Sequence, residues 1–290
     1  MLQKHLQKAA DSLESALYVV ATPIGNLADI TLRALAVLQR ADLVCAEDTR
    51  VTARLLAAYG IQTKLLSVRE HNERQMAEKI VSALSDGLIV AQVSDAGTPA
   101  VCDPGARLAE HVRAAGFKVV PVPGASAVMA ALSAAGVAES DFYFSGFLPP
   151  KSAERKKLFD TWQEADYPIV MFETPHRIEA ALADMAAAFP ERRMALAREL
   201  TKTFETFLSG TVADIQMALR EDANQTRGEM VLVLHPAAQE KSGTLSDETL
   251  RVLRILADEL PTKQAAALTA QITGEGKKIL YEAALALKQQ

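Results

Sequence analysis

Short apolar runs alternate with stretches of helical spacing through the first half of the chain. The runs are LYVVA at 17–21, ADLVCA at 41–46, LLSV at 65–68 and LIVAQV at 88–93. Between them the apolar residues recur every three or four positions, which predicts helices from about Thr31, from about Thr49, across Glu73 to Leu84, and from Gly105. Strands alternating with helices of this length predict βαβ units and a parallel sheet. After KVVPVPGAS at 118–126 the rhythm changes. Runs at 142–147, 168–174, 194–200, 204–210 and 228–234 follow one another with fewer long helices between them, the predicted helices starting at Ser152 and Pro175. This second region predicts a mixed sheet, with a boundary near residues 121–126.

The ends of the chain read differently. Residues 1–16 form a loose or helical lead-in, and AAQEKSGTLSDE at 237–248 reads as a linker. Three short helical patterns follow, Thr249 to Asp258, Thr262 to Ile272 and Lys277 to Leu287, the last two with the helix–turn–helix arrangement. Such a module either contacts nucleic acid through Lys263, Lys277 and Lys278 or packs as a small helical bundle. The expected division is therefore a lead-in at 1–16, α/β domains at 17–122 and 123–236, and a linker with a helical module at 237–290.

Composition narrows the class. At 290 residues and 49% hydrophobic content the chain can bury a sizeable core, and no apolar stretch approaches the roughly 20 residues that span a bilayer. The first residues lack the apolar segment of a secretory signal. Two separated cysteines, Cys45 and Cys102, and five scattered histidines point to a reducing cytoplasm without a zinc site. A net charge of −5 argues against nonspecific coating of nucleic acid. It leaves room for a local basic surface, for which Lys151, Arg155, Lys156 and Lys157 are candidates beside the simpler reading of a solvated helix face.

The candidate chemistry sits where the predicted strands end. Ser94, Asp95, Ala96, Gly97, Thr98 and Pro99 leave the backbone nearly bare after the fourth run, at the edge where open α/β sheets bind ligands. Asp95, Thr98 and Asp103 add polar contacts. Both a ligand cradle and an ordinary capped βα connection account for this loop. The first loop, TPIGNLADIT at 22–31, turns at Pro23, Gly25 and Asn26, with Asp29 or Thr31 as helix cap. It has neither a dinucleotide fingerprint nor the Gly-Lys-Ser/Thr of a phosphate loop, so NAD and ATP are poor ligands for it. Glu47, Asp48 and Arg50 stand at the end of the second run, and Pro123, Gly124, Ala125 and Ser126 at the end of the fifth.

Taken together, ATPIGNLADIT, AEDTR, SDAGTPAVCDPG and VPGASA resemble the tetrapyrrole methylase superfamily, and the set is most similar to its ribosomal-RNA branch. GFLPPKSAERK at 146–156, FETPHRI at 172–178, ARELTKTFE at 197–205 and RGEMVLVL at 227–234 match that branch too. The first loop is poorer in glycine than in tetrapyrrole-modifying members. The resemblance implies two α/β domains with S-adenosylmethionine folded in the cleft between them, and a homodimer. It implies 2′-O-methylation of a cytidine ribose in 16S rRNA of the small ribosomal subunit, with a tetrapyrrole methylase or a noncatalytic ribosome-binding factor as alternatives.

Carried over by position, Pro23, Gly25, Ser94, Asp95, Ala96, Gly97 and Thr98 would line the cofactor from the first domain. Pro123, Gly124, Ala125, Ser126, Phe172, Arg198, Gly228 and Glu229 would approach it from the seam and the second domain. Candidate proton acceptors are Glu47, Asp48, Glu173 and Glu199, with Lys151 as an alternative if burial lowers its pKa. Arg50, Arg177, Arg198 and Lys202, with Lys151, Arg155 and Lys156, suit phosphates or the orientation of acids. His176, after Pro175, reads as a capping or packing residue at least as readily as a base.

Overall fold

The alternating first half folds as α1 (Leu2–Asp11), β1 (Leu17–Val20), α2 (Leu32–Arg40), β2 (Leu43–Ala46), α3 (Thr49–Ala58), β3 (Lys64–Ser67), α4 (Glu73–Ser85), β4 (Val90–Val93), α5 (Ala106–Ala114) and β5 (Val119–Val122). The five strands pair in parallel in the order β3-β2-β4-β1-β5. The computed structural model describes residues 1–69, 72–237 and 245–287. It divides into a body, Met1–Ala237, and a C-terminal unit, Ala238–Gln290.

Both faces of the parallel sheet are covered, which is why its strands read as nearly continuous apolar runs. Tyr18, Val20, Val44, Ala46, Ala91 and Val93 face α2 and α3, meeting Ala34, Val37, Leu38 and Leu56. The alternate positions Leu17, Cys45 and Val90 pack against Met76, Ile80 and Leu84 of α4 and Leu108 and Val112 of α5. The side-chain period of two along a strand assigns each residue to its layer.

The second half of the body contains α6 (Ala127–Ala134), β6 (Tyr143–Phe147), α7 (Ser152–Asp160), β7 (Ile169–Glu173), α8 (Ile178–Ala188), β8 (Arg193–Arg198), β9 (Thr206–Thr211), α9 (Val212–Glu221) and β10 (Met230–Leu234). Its sheet runs β6-β7-β10-β8-β9; β6 and β7 are parallel and the remaining pairs antiparallel, so the sheet is mixed as its sequence predicts. Met171, Met194, Leu196 and Leu232 pack with Phe159, Ile178, Leu182 and Ile215 on one face. Val170, Ala195, Ala197 and Val231 pack with Val128 and Ala131 of α6 on the other.

Local chemistry sets the helix ends. Thr31 and Ser126 accept hydrogen bonds from the N–H groups of Ala34 and Met129 as N-caps. The helix expected from Pro175 begins at Ile178, because the N–H of Arg177 closes a turn onto the carbonyl of Thr174 at 3.0 Å. His176 is therefore an exposed turn residue outside the helix.

The C-terminal unit holds α10 (Asp247–Glu259), α11 (Thr262–Thr273) and α12 (Lys277–Leu287) around Leu245, Leu253, Ala266, Leu280 and Ala284. The turn after α11 uses Gly274 in the left-handed region, φ 78°, where a side chain would strain the backbone. Most of the expected linker, residues 238–244, lies outside the described residues. Among the described residues no helix is long and apolar enough to cross a membrane.

Candidate active site

The carboxyl ends of β1, β4 and β5 bring three loops together. Thr22 and Gly97 form a two-bond bridge, each N–H donating to the other's carbonyl at 2.8 and 3.0 Å. Thr98 Oγ1 donates to the carbonyl of Ala125 at 3.1 Å, tying the 94–105 loop to the start of α6. Gly97 has φ 78°, and a Cβ there would lie 3.3 Å from Ile24 Cγ2. The positive φ favours glycine, and a side chain there would also push Ile24 aside by a few tenths of an ångström.

Facing these loops are the carboxyl end of β7 and the amino end of β10. Together they enclose a cavity of about 380 Å³, within the usual range for small-ligand sites. One wall is Ile24, Asp95, Ala96, Gly97 and Thr98, and Ser126, Ala127 and Val128 add the first turn of α6. The other wall is Phe147, Phe172, Glu173, Thr174, Pro175 and the stretch from Glu229 to Val231. Val101, Cys102 and Asp103 complete the lining. First-turn amides of a helix lack intrahelical partners, so α6 presents donors, while Asp95, Asp103, Glu173 and Glu229 present acidic groups.

Of the acids singled out as proton acceptors, Glu173 is the one on this wall. Its side chain is fully buried, with Oε1 accepting from the N–H of Thr174 at 2.7 Å and Arg177 Nε lying 3.1 Å away. Arg177 also donates to Glu173 Oε2 at 3.1 Å and to the carbonyl of Leu148, so this cation holds the acid and the chain after β6 at once.

Glu47 and Asp48 stand outside the lining. Burial first, then the charges of Asp95 and Asp103, pushes the Glu47 carboxyl above its ordinary range. Asp103 is raised by half-burial, with the nearby Ser94 hydroxyl opposing and the charge of Asp95 adding to the shift. Asp48 is held well below the carboxylate range by the hydrogen bonds of Arg50, whose Nε and Nη2 reach it at 3.0 and 2.6 Å. Arg50 is thus already paired with a carboxylate.

Several expected site residues brace the loops instead of lining the cavity. Ser94 is buried and donates to the carbonyl of Ala96 at 3.2 Å. In the first loop, which contains Pro23, a Cβ on Gly25 would fall 2.5 Å from Lys202 Cγ, and the N–H of Asn26 donates to Thr201 Oγ1 at 3.1 Å. After Pro123, a Cβ on Gly124 would lie 2.9 Å from Ala21 Cβ, and Ala125 contributes its carbonyl to Thr98. Gly228, with φ 86°, makes room for the Glu199 side chain. Arg198 is buried and donates to the carbonyls of Arg227 and Phe204 and to Thr206 Oγ1. Burial works against the Glu199 carboxylate, but Lys202 and the N–H of Glu229 hold its pKa below the ordinary value. Lys202 is shared between Glu199 and Glu229 at 2.7 and 3.2 Å.

Two expectations are corrected on the helix after β6. Arg155 is not a solvent-facing contact for RNA: its side chain is 4% exposed, with Nη2 at 2.6 Å from Asp184 and Nη1 donating to the carbonyls of Pro149 and Pro150. Lys151 is 78% exposed and paired with Glu154 at 3.2 Å, so the burial needed for a lysine base is absent. Lys156 remains accessible, its Nζ 3.7 Å from Asp184. Phe147, Cys102, Val101, Thr174 and Pro175 join the cavity without having been singled out as site residues. The motifs GFLPPK, VCDPG and FETP, already conspicuous, carried that signal.

Comparison with known proteins places these features. Residues 16–216 match the tetrapyrrole (corrin/porphyrin) methylases, and residues 243–288 match the RsmI C-terminal HTH domain. The chain belongs to the tetrapyrrole methylase family. Among its relatives is the ribosomal RNA small subunit methyltransferase I of Neisseria meningitidis serogroup B, 74% identical over 291 residues with 100% of both chains covered. The protein of that name from Pseudomonas aeruginosa is 50% identical over 271 residues, covering 93% of this chain and 96% of its own. The fold is shared with cobalt precorrin-4 methyltransferase, TM-score 0.58 at 20% identity over 76% of this chain and 95% of that one. A uroporphyrin-III-C-methyltransferase from Thermus thermophilus gives TM-score 0.54 at 23% identity, over 76% and 93%.

Proposed function

We propose that the protein is an S-adenosylmethionine-dependent methyltransferase that modifies the 2′-hydroxyl of a cytidine ribose in 16S rRNA of the small ribosomal subunit. The observation that carries this reading is full-length identity of 74% to a ribosomal RNA small subunit methyltransferase I, in a chain whose strand-end loops enclose a ligand-sized cavity. The residues fit the cofactor. Glycine at Gly97 lets the backbone approach a bound molecule, the acids suit a cationic sulfonium and an ammonium, and the α6 amides suit a carboxylate.

When bound, S-adenosylmethionine supplies an electrophilic methyl group. The chain's own part is to hold both substrates in line and exclude water, which accounts for a large share of such accelerations. Asp95 to Thr98 and Ser126 to Val128, which line the cavity, would hold the cofactor, and Glu173 would take the proton of the ribose hydroxyl. Arg177 keeps that carboxylate aimed. Lys151 and Lys156 are accessible cations for phosphates.

The domain limits 17–122, 123–236 and 237–290 belong to the same reading, as do a homodimeric state and a cytoplasmic location. The unpaired Cys45 and Cys102 suit a reducing compartment. The test offers labelled S-adenosylmethionine with small subunits, naked 16S rRNA or uroporphyrinogen. Ribose label in 16S rRNA is expected, whereas label on the nucleobase, or on the tetrapyrrole alone, overturns the assignment. Glu173→Gln should slow transfer about 10²- to 10⁴-fold while leaving cofactor affinity nearly intact, and unchanged turnover removes Glu173 from proton transfer.

A further inference from the structure

Phe147 reaches the cavity through an irregularity in β6. Phe144 pairs with Val170 and Phe147 with Phe172, so three steps along β6 match only two steps along β7. In a regular strand, residues three apart face opposite sides of the sheet. The extra residue forms a β-bulge at Ser145–Gly146, with Gly146 at φ 72°, and it returns Phe147 to the face occupied by Phe144 and Phe172. The Phe144 and Phe147 rings lie edge-on to Phe172 at 5.0 and 5.4 Å. A Cβ on Gly146 would lie 3.0 Å from Cys102 Sγ, so the bulge is also fitted to the facing loop.

The result is an aromatic ring that lines the cavity while remaining 52% exposed. The next residue, Leu148, is buried, and its carbonyl is held by Arg177, the cation that also holds Glu173. One guanidinium therefore holds both the acid and the backbone immediately after Phe147. RNA-reading proteins capture unstacked bases on such exposed aromatic faces.

We infer that Phe147 is the stacking platform for a nucleobase of the RNA substrate at the methylated position, orienting its ribose toward Glu173. This rests on the rRNA methyltransferase reading above. The ring stands on the sheet-edge strand β6, half open to solvent, and the loop Asp95–Thr98 with the α6 start provides the enclosed part suited to the cofactor.

The test compares wild type with Phe147→Ala, Phe147→Leu and Phe147→Tyr. S-adenosylmethionine affinity is measured by calorimetry, and initial rates are measured against small-subunit concentration at saturating cofactor. Loss of one base–aromatic stack should lower kcat/KM for the subunit about tenfold to a hundredfold, mainly through KM, with cofactor Kd within about twofold. Phe147→Tyr should restore wild-type kinetics. Phe147→Leu keeps the apolar bulk and should show the same loss even if the alanine variant folds poorly. Unchanged kcat/KM in the leucine variant overturns the inference, and so does a tenfold weaker cofactor Kd, which would assign the ring to the cofactor's adenine. Wild-type protein that labels no RNA overturns the rRNA reading and this inference with it. An active wild type matched by the leucine variant overturns only the latter.

Discussion

Replacing Gly97 by alanine separates a structural glycine from one that serves the ligand. At φ 78° an alanine costs about 1–2 kcal/mol through the Cβ clash with its own backbone, and the new Cβ meets Ile24 Cγ2 at 3.3 Å. The alternative is a loop that relaxes and breaks its bridge to Thr22, losing two backbone hydrogen bonds of about 1 kcal/mol each. The two routes predict a loss of about 1–2 kcal/mol and a melting temperature lower by roughly 2–8 °C for a body of this size. If Asp95 to Thr98 form the cofactor wall, binding must restore the strained shape, so Kd for S-adenosylmethionine should rise about 5- to 30-fold. Gly87→Ala provides the control. Gly87 has nearly the same φ, 81°, but nothing lies within 4 Å of its added Cβ, so that variant should lose stability without losing affinity. Differential scanning calorimetry and titration calorimetry read the two quantities. A Gly97→Ala protein that melts like Gly87→Ala and binds within twofold of wild type would refute the cofactor role of this loop.

Other substitutions test the electrostatic arguments. Arg155→Ala leaves Asp184, itself 12% exposed, without its guanidinium, and should cost about 3–5 kcal/mol in urea unfolding; a loss below about 1 kcal/mol would show that the pair is not structural. Asp103 is raised in the folded protein, so its contribution to stability is present below the ordinary aspartate range and lost as pH rises through the raised value. Asp103→Asn should therefore melt increasingly above wild type as pH rises from about 4 through the raised value, and a pH-independent difference would contradict that sign.

The layers of the fold were legible because local rules set them. Tyr18 and Val20 face one helix layer and Leu17 the other through strand geometry alone, and Gly97 marks the loop after β4 because its positive φ strains any larger residue. The roles of charged residues were not legible in this way. Lys151 and Arg155 are four positions apart in one basic run, yet one is exposed and the other is buried against Asp184, which is 29 positions further along. A composition-based reading treats them alike because the distinguishing partner is distant in sequence.

By itself, the sequence determined which segments are strands, which loops stand at their carboxyl ends, and which family the motifs resemble, since backbone sterics and side-chain periodicity act over a few residues. Only the tertiary structure decided which of those groups share a cavity. It put Glu173 on the wall under Arg177, turned Arg198 and Arg155 into braces, and used one bulge in β6 to bring Phe147 beside Phe172. The physical reason is that burial, charge pairing and strand register depend on elements meeting across the fold, and no local pattern specifies those meetings.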